Sequence, residues 1–168
     1  TGSSNVIVAI IDNGFDHLHP DLHENAWINV DEIADNGIDD DNNGYIDDIY
    51  GWSFVVKDRN DDGRIDSNER KGWHDPRPSV TGISKSILEG NAIHHGSVVA
   101  GIIGGVGGNG VDGSGLNWTV KMMNIQLLDS SGIGTIEHIS DAIYYAVDNG
   151  ADVINISIVS TDSTDEFG

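Results

Sequence analysis

The sequence predicts an α/β fold in which a mostly parallel sheet carries helices on both faces, and three observations support this prediction. Residues 5–11 form an apolar, β-branched run, as expected of a strand buried on both faces, and residues 120–128 and 152–158 are predicted to form two further buried strands. Helical patterns begin at His95 and at Thr135, between the strand segments. Alternating strands and helices require right-handed crossovers, which produce a parallel sheet. We therefore predict a three-layer α/β fold.

The two predicted helices differ in character. Residues 95–103 consist mainly of small side chains, which suits a helix that lies very close to another backbone. The second helix is capped by Thr135 and stops at Asn149-Gly150, where glycine tolerates the left-handed turn. Its apolar face is predicted to consist of Ile136, Ile139, Ala142, Ile143, Ala146 and Val147.

Composition limits the classes of function. The 168 residues suit one domain, and 28 acidic against 8 basic residues give a formal net charge of −20. Such a chain repels nucleic acid and anionic membrane surfaces and attracts cations, so we expect no partner of either kind. The absence of cysteine excludes disulfides and thiolate metal sites. No apolar run is long enough to span a membrane, and the first four residues lack the pattern of a signal peptide.

Acidic residues concentrate in an insertion at about 31–70, where two loops resemble calcium-binding loops. Residues 58–69 match the EF-hand pattern, with Gly63 at the sharp turn. The predicted ligands there are Asp58, Asn60, Asp62, the carbonyl of Arg64, Asp66 and Glu69. The earlier loop repeats the start of the pattern, with Asp39, Asp41, Asn43 and Asp47 as predicted ligands. Its twelfth position is Tyr50, so the closing carboxylate must come from elsewhere, for example Asp48. We predict stabilising calcium sites.

Two residues at strand and helix ends carry candidate chemistry. Asp12 directly follows the first strand, and function in open α/β sheets collects beyond the carboxyl ends of strands. His95 opens the helix of small residues, an arrangement that holds an imidazole in a cleft.

The segments around these residues resemble the motifs of the subtilases. The sequence VAIIDNGFD at 8–16, followed by His19-Pro20-Asp21-Leu22, is similar to the family's aspartate motif. The sequence HGSVVAG at 95–101 resembles the histidine motif, and GADVINIS at 150–157 resembles the strand that follows. The resemblance implies a subtilisin-like fold and a serine endopeptidase, in which His95 is the general base and Asp12 orients it.

The resemblance also implies how substrates and calcium bind. The family binds an extended peptide of a protein substrate between two edge segments, which here are Ser131-Gly132-Ile133 and Ser157-Ile158. The aspartate equivalent to Asp21 often binds calcium in the family. A secreted or cell-surface location follows from the family and from the calcium loops.

The chain departs from the family pattern at several positions. Ser97 replaces the usual threonine and Val98 a common second histidine, while Ile158-Val159-Ser160 replaces glycines. No Gly-Thr-Ser segment followed by proline comes after His95, since Pro20, Pro76 and Pro78 all precede it. We therefore interpret residues 1–168 as the N-terminal part of one subtilase catalytic domain, with a sheet incomplete at its C-terminal side. The chain alone is predicted to be inactive, and its expected partner is the missing C-terminal half.

Two alternatives stay open. The first is a zinc hydrolase, because His17, His19, Asp21 and His23 come within one residue of the His-x-His-x-Asp-His signature. The second is a calcium-stabilised pseudo-protease that binds partners without catalysis.

Overall fold

The computed structural model describes residues 1–57, 62–67, 69–78, 94–111, 113–129, 132–135 and 137–158. Its centre is a four-stranded sheet, in which all pairings between strands are parallel. The strands are β1 (Gly2–Asp12), β2 (Gly51–Ser53), β3 (Thr119–Gln126) and β4 (Val153–Ile156), in the order β2-β3-β1-β4. The predicted parallel sheet is confirmed.

Two α-helices and two short 3-10 turns complete the regular structure of the described residues. Helix α1 spans His95–Gly104, and α2 spans His138–Asp148. The 3-10 turns are His23–Asn25 and Glu69–Lys71. None of the helices in the described ranges is both long and apolar enough to cross a membrane.

The helices cover opposite faces of the sheet, because successive side chains of a strand point to opposite sides. Val8 and Ile10 of β1 pack in one core with Ala100 of α1. Ala9 and Ile11 pack in the other core. That second core contains Ala142, Tyr145 and Ala146 of α2, together with Trp27, Trp52 and Phe54. The three-layer α/β arrangement is therefore confirmed.

The predicted boundary and face of the second helix were partly wrong. The helix begins at His138 rather than after a Thr135 cap, and its cap position is Glu137. Val147 is 55% exposed, whereas Tyr145 is buried. Tyrosine satisfies its hydroxyl at this position by donating to Asp48 Oδ2, and this bond allows a polar-tipped side chain to enter the core. Ile136 lies outside the described residues.

Strand β2 was not predicted. It has only three residues, Gly51–Ser53, inside the segment that the sequence marked as an acidic insertion. Gly51 has φ +128°, and a Cβ there would lie 1.9 Å from the carbonyl oxygen of Asn124 in β3. Only glycine allows this close approach, which lets the strand begin beside β3.

Candidate active site

The carboxyl ends of the strands form one edge, and Asp12 lies at its centre. Asp12 is the last residue of β1 and is in register with Gln126 at the end of β3. Its carbonyl accepts hydrogen bonds from the N–H groups of Leu127 and Leu128, at 2.8 and 3.1 Å. The side chain is 1% exposed, so the carboxylate is held inside the protein.

His95 at the start of α1 faces this carboxylate. Its Nδ1 lies 2.9 Å from Asp12 Oδ1 and 2.9 Å from Oδ2. The His95 side chain is 52% exposed. The structure thus brings the two predicted catalytic residues together across 83 positions of sequence. An Nδ1–H donated to the carboxylate fixes the tautomer and leaves Nε2 as a proton acceptor.

Buried amides hold the loop that follows Asp12. Asn124, fully buried in β3, donates from Nδ2 to the Phe15 carbonyl at 2.7 Å and accepts from Phe15 N–H at 3.0 Å. Gly14 has φ +81°, and a Cβ there would lie 1.9 Å from the Pro76 carbonyl oxygen. The loop is therefore clamped between β3 and residues 75–78 and has little freedom to move Asp12.

The two departures in the histidine motif lie on the helix surface near this loop. Ser97 Oγ accepts a hydrogen bond from Asp16 N–H at 3.1 Å, which ties the helix to the aspartate motif. Val98 is 57% exposed. Neither residue takes part in the His95–Asp12 contact.

The predicted substrate segments follow the strands on either side of β1. Ser157 and Ile158 come directly after β4, one residue beyond the pair Ile11–Ile156. Ser157 Oγ accepts from Asn155 Nδ2 at 2.9 Å. Gly132 and Ile133 lie beyond β3, while Ser131 lies outside the described residues.

The backbone of Gly132 and Ile133 is engaged in a tight turn. Gly132 N–H donates to the Asp129 carbonyl at 2.9 Å, and Ile133 N–H donates to Asp129 Oδ1 at 2.9 Å. The Ile133 carbonyl accepts from Asp129 N–H at 2.8 Å. The Ile133 side chain is 69% exposed, so it is available to a ligand.

The first acidic loop brings three carboxylates together. One oxygen each of Glu32, Asp39 and Asp41 lies within 4.8 Å of the others, and among the described residues these form the one group suited to a metal ion. Sequence analysis predicted Asp39 and Asp41 but missed Glu32, which lies before the loop pattern begins. Oxygen ligands of this kind are those that calcium prefers.

The other two predicted ligands of this loop, Asn43 and Asp47, also make hydrogen bonds within the acidic insertion. Asn43 donates from Nδ2 to Asp41 Oδ2 at 3.1 Å and to Asp48 Oδ2 at 3.1 Å. Asp47, with φ +57°, accepts from the N–H groups of Asn36 and Gly37, at 3.0 Å each. Asp47 therefore shapes the loop and stands outside the three-carboxylate group.

Asp48 lies beneath the loop and is fully buried. Its carboxylate accepts from Asn29, Asn43 and the Tyr145 hydroxyl, the last at 2.6 Å. Burial raises the pKa of Asp48 above its ordinary value, although these hydrogen bonds oppose the shift. Burial also raises the pKa of Glu32.

The second acidic loop is described in part, since Asp58 and Asn60 lie outside the described residues. Gly63 has φ +80°, as the pattern predicts for its sharp turn. Asp62 Oδ1 accepts from the N–H of Arg64 at 2.9 Å. Glu69 is buried; its Oε2 accepts from Asp66 N–H, and its own N–H donates to Asp66 Oδ1, at 3.0 Å each.

Asp21 and its histidine neighbours have separate partners. Asp21 Oδ1 accepts from Asn109 Nδ2 at 2.9 Å, in the loop after α1. His19 Nδ1 accepts from Asp21 N–H, and His23 Nδ1 faces the His17 carbonyl. Within the described residues, these side chains do not form a group that could share a metal ion, as the zinc alternative requires.

Sequence reasoning missed the polar residues that surround the pair. They are Asn13, Ser53, Asn124 and Gln126, all buried at the carboxyl edge of the sheet. The available signal was the presence of two amides, Asn124 and Gln126, within the predicted buried strand 120–128. Amides in a buried strand need hydrogen-bond partners, so their presence indicates polar contacts at this end of the strand.

Comparisons with known proteins identify a family and several relatives that this chain resembles. The subtilase family matches residues 3–167. Subtilisin-like protease 1 of Plasmodium berghei (strain Anka) is 33% identical over 95% of this chain and 22% of its own length. The thermophilic serine proteinase of Bacillus sp. (strain AK1) is 30% identical over 94% of this chain and 27% of its own length.

A third relative is the halolysin-like extracellular serine protease Nep of Natrialba magadii, 28% identical over 94% of this chain and 21% of its own length. The chain therefore spans about a fifth to a quarter of the length of these relatives.

Proposed function

The chain belongs to the subtilase family, and from this premise we propose that it supplies the histidine and aspartate of a Ser-His-Asp triad in a serine endopeptidase. The observation that carries the proposal is the 2.9 Å approach of His95 Nδ1 to both carboxylate oxygens of Asp12. The carboxylate is buried and the imidazole is half exposed, so a substrate can reach only the imidazole.

The proposed chemistry is general base catalysis followed by general acid catalysis. A serine hydroxyl is a weak nucleophile until an oriented imidazole removes its proton during attack on the scissile carbonyl. His95 Nε2 accepts that proton, and the Asp12 carboxylate stabilises the resulting imidazolium. His95 then gives the proton to the leaving amine, and water hydrolyses the acyl-enzyme through the same two residues.

The nucleophile must come from another segment, which we propose is the C-terminal half of the protease domain. Exposed apolar side chains support this proposal. Val153 and Ile156 of β4 are 51% and 43% exposed, and Ile102 of α1 is 66% exposed. Among the described strands, β4 pairs only with β1, so its other edge is open to a further strand.

We propose that protein substrates bind as extended peptides between residues 131–133 and 157–158. The support is their position beyond β3 and β4, on either side of Asp12. A peptide between them would present its scissile bond to His95. Backbone pairing with the peptide would fall to residues 157–158, because the N–H groups of Gly132 and Ile133 already donate to Asp129 and only the exposed Ile133 side chain would contact the peptide there.

We also propose that the acidic insertion binds calcium. Glu32, Asp39 and Asp41 would hold one ion, and the loop that contains Asp62, Asp66 and Glu69, which matches the EF-hand pattern in sequence, would hold another. A cation there would offset the mutual repulsion of the carboxylates, and its role would be stabilisation. A secreted or cell-surface location is consistent with such sites and with the extracellular relative of Natrialba magadii.

Substitution of the proposed pair in the assembled protease tests the function. We expect Asp12→Asn to lower kcat for a fluorescent casein substrate about 10⁴-fold, because the amide favours the wrong His95 tautomer. His95→Ala should lower kcat by at least as large a factor. The matched control is Asp16→Asn, since Asp16 lies in the same motif and its carboxylate Oδ1 accepts a hydrogen bond from the N–H of Leu18, two residues later. Equal activity of Asp12→Asn and Asp16→Asn would refute the proposed roles.

A further inference from the structure

Asn13 directly follows Asp12 in the chain and is hydrogen-bonded to the first turn of α1, which carries His95. Its side chain is 1% exposed, and its Oδ1 accepts a hydrogen bond from the backbone N–H of Gly96 at 2.9 Å. Its own backbone N–H donates to Asp12 Oδ1 at 2.7 Å. Asn13 therefore contacts Asp12 directly and the residue next to His95.

The bond to Gly96 completes the start of helix α1. The first N–H groups of a helix have no partner within the helix, and a side chain at the cap position often supplies one. The residue at the cap of α1, His94, makes no such hydrogen bond. Asn13 supplies the accepting oxygen instead, from a segment more than 80 residues earlier.

The helix start also fits tightly against the loop of Asn13. A Cβ on Gly96 would lie 2.3 Å from the Gly14 carbonyl oxygen and 3.0 Å from Asn13 Oδ1. The absence of a side chain at Gly96 allows the first turn of α1 to rest directly on this loop. The position of the first turn is thus set by the loop.

Asn13 is itself fixed from the sheet. Its carbonyl accepts from Gln126 Nε2 at 3.2 Å, and Gln126 Oε1 accepts from Ser53 Oγ at 2.7 Å. Gln126 and Ser53 are both buried. A continuous series of hydrogen bonds therefore runs from β2 through β3 and Asn13 to the first turn of α1.

We infer that Asn13 is a positioning residue for the Asp12–His95 pair: its side-chain oxygen anchors the first turn of α1 and so sets the imidazole against the carboxylate. This inference rests on the proposed function. Without the anchor the first turn frays, and the Nδ1–H donor of His95 no longer stays aligned with Asp12. Misplacement of a reacting group by about 1 Å is enough to cost about 10²-fold in rate.

The chain offers a matched control at the other end of the same helix. Asn25 is also buried, and its Nδ2 donates to the Gly104 carbonyl at 2.8 Å. Asn25→Ala thus removes a buried amide that holds the C-terminal end of α1, far from His95. This variant therefore shows how the protein responds when the C-terminal end of α1 loses a hydrogen bond while the first turn keeps its own.

The test compares Asn13→Ala, Asn13→Asp and Asn25→Ala by the Nδ1–H proton resonance of His95 in NMR spectra of the chain. We expect this resonance to be lost in Asn13→Ala, retained in Asn13→Asp, which keeps an accepting oxygen, and retained in Asn25→Ala. In the assembled protease we expect kcat of Asn13→Ala to fall about 10²-fold with little change in KM.

The inference is overturned if the resonance persists in Asn13→Ala, or if Asn25→Ala loses it equally. If Asn13→Ala does not fold, the folded variant Asn13→Asp provides the test. Loss of the His95 resonance in Asn13→Asp would contradict the anchoring role of the side-chain oxygen, and retention of the resonance would support it. If the NMR results are as expected but Asp12→Asn leaves the activity of the assembled protease unchanged, the proposed function is refuted. The positioning role of Asn13 would still stand.

Discussion

At the scale of single residues, the loop after Asp12 depends on a neutral histidine. His17 stacks on Tyr50 with ring centroids 4.0 Å apart, and its Nδ1 lies 3.3 Å from Asn124 Nδ2, which donates to it. Burial, the largest influence, lowers the pKa of His17 to about 4. Protonation would remove the acceptor that faces Asn124, the residue that also holds Phe15.

This shift predicts a loss of stability on acidification. The unfolded histidine has a pKa of 6.5, above the folded value of about 4, so the unfolded chain binds the proton first. The contribution of His17 to the free energy of unfolding is fully present above pH 6.5. It is lost as the pH falls toward 4, and the total loss is about 3 kcal/mol.

His17→Phe keeps an aromatic ring beside Tyr50 and removes the titration. In urea unfolding measured across this pH range, we expect the free energy of unfolding to fall more steeply for the natural chain than for His17→Phe. Parallel pH profiles for the two proteins would show that His17 is not the buried neutral group described above.

At the same scale, part of the site was predictable from the sequence and part was not. Asp12 and His95 lie in short contiguous motifs, and such motifs can be recognised in a single sequence. Asn13 and Gln126 act through partners far away in the chain, at Gly96 and Ser53. Only the tertiary fold brings these partners together, so the sequence shows the amides but not the groups that they bind.

At the scale of secondary-structure elements, the acidic loop is joined to helix α2. The Tyr145 hydroxyl donates to Asp48 Oδ2 at 2.6 Å, and both side chains are buried. Tyr145 also packs edge-to-face on Tyr45, at 4.8 Å between ring centroids. The loop therefore rests on the same core that anchors α2 to the sheet.

Removal of this hydroxyl should destabilise the protein. Tyr145→Phe leaves the buried Asp48 carboxylate short of a donor, and we expect a loss of about 1–3 kcal/mol in the free energy of unfolding. Tyr144→Phe is the control, because Tyr144 is 67% exposed on the same helix. Chemical denaturation measures both; equal stabilities of the two variants would argue against the buried hydrogen bond.

The elements themselves were predicted best where the pattern was long. Buried strands β1 and β3 and the start of α1 follow directly from apolar runs and a motif. The three residues of β2 carry no periodic signal, and its place beside β3 depends on the close approach at Gly51. The error at Tyr145 has the same origin, because its burial depends on a carboxylate from a distant loop.

At the scale of the whole molecule, the net charge of −20 opposes the compact state. Bound calcium would relieve part of that repulsion at the acidic insertion. Any ligand that binds only the folded state adds stability, by about 2.7 kcal/mol at a hundred times its Kd.

We expect millimolar calcium chloride to raise Tm well beyond sodium chloride at the same ionic strength. Glu32→Gln should remove much of the difference, because it takes one charge from the three-carboxylate group. Glu24→Gln, a change at an exposed position, should not. Scanning calorimetry makes the comparison. Equal increases of Tm with both salts would mean that general charge screening, and not a calcium site, is responsible.

The central claim is that this chain supplies the base and the orienting carboxylate while the nucleophilic serine lies elsewhere. A fluorophosphonate probe labels an activated serine and tests this claim directly. The chain is treated with the probe alone and after co-expression with the downstream segment of its gene, in millimolar calcium. The account predicts labelling only with the second segment present, on that segment, and its loss in His95→Ala. Labelling of a serine within the 168 residues alone would contradict it.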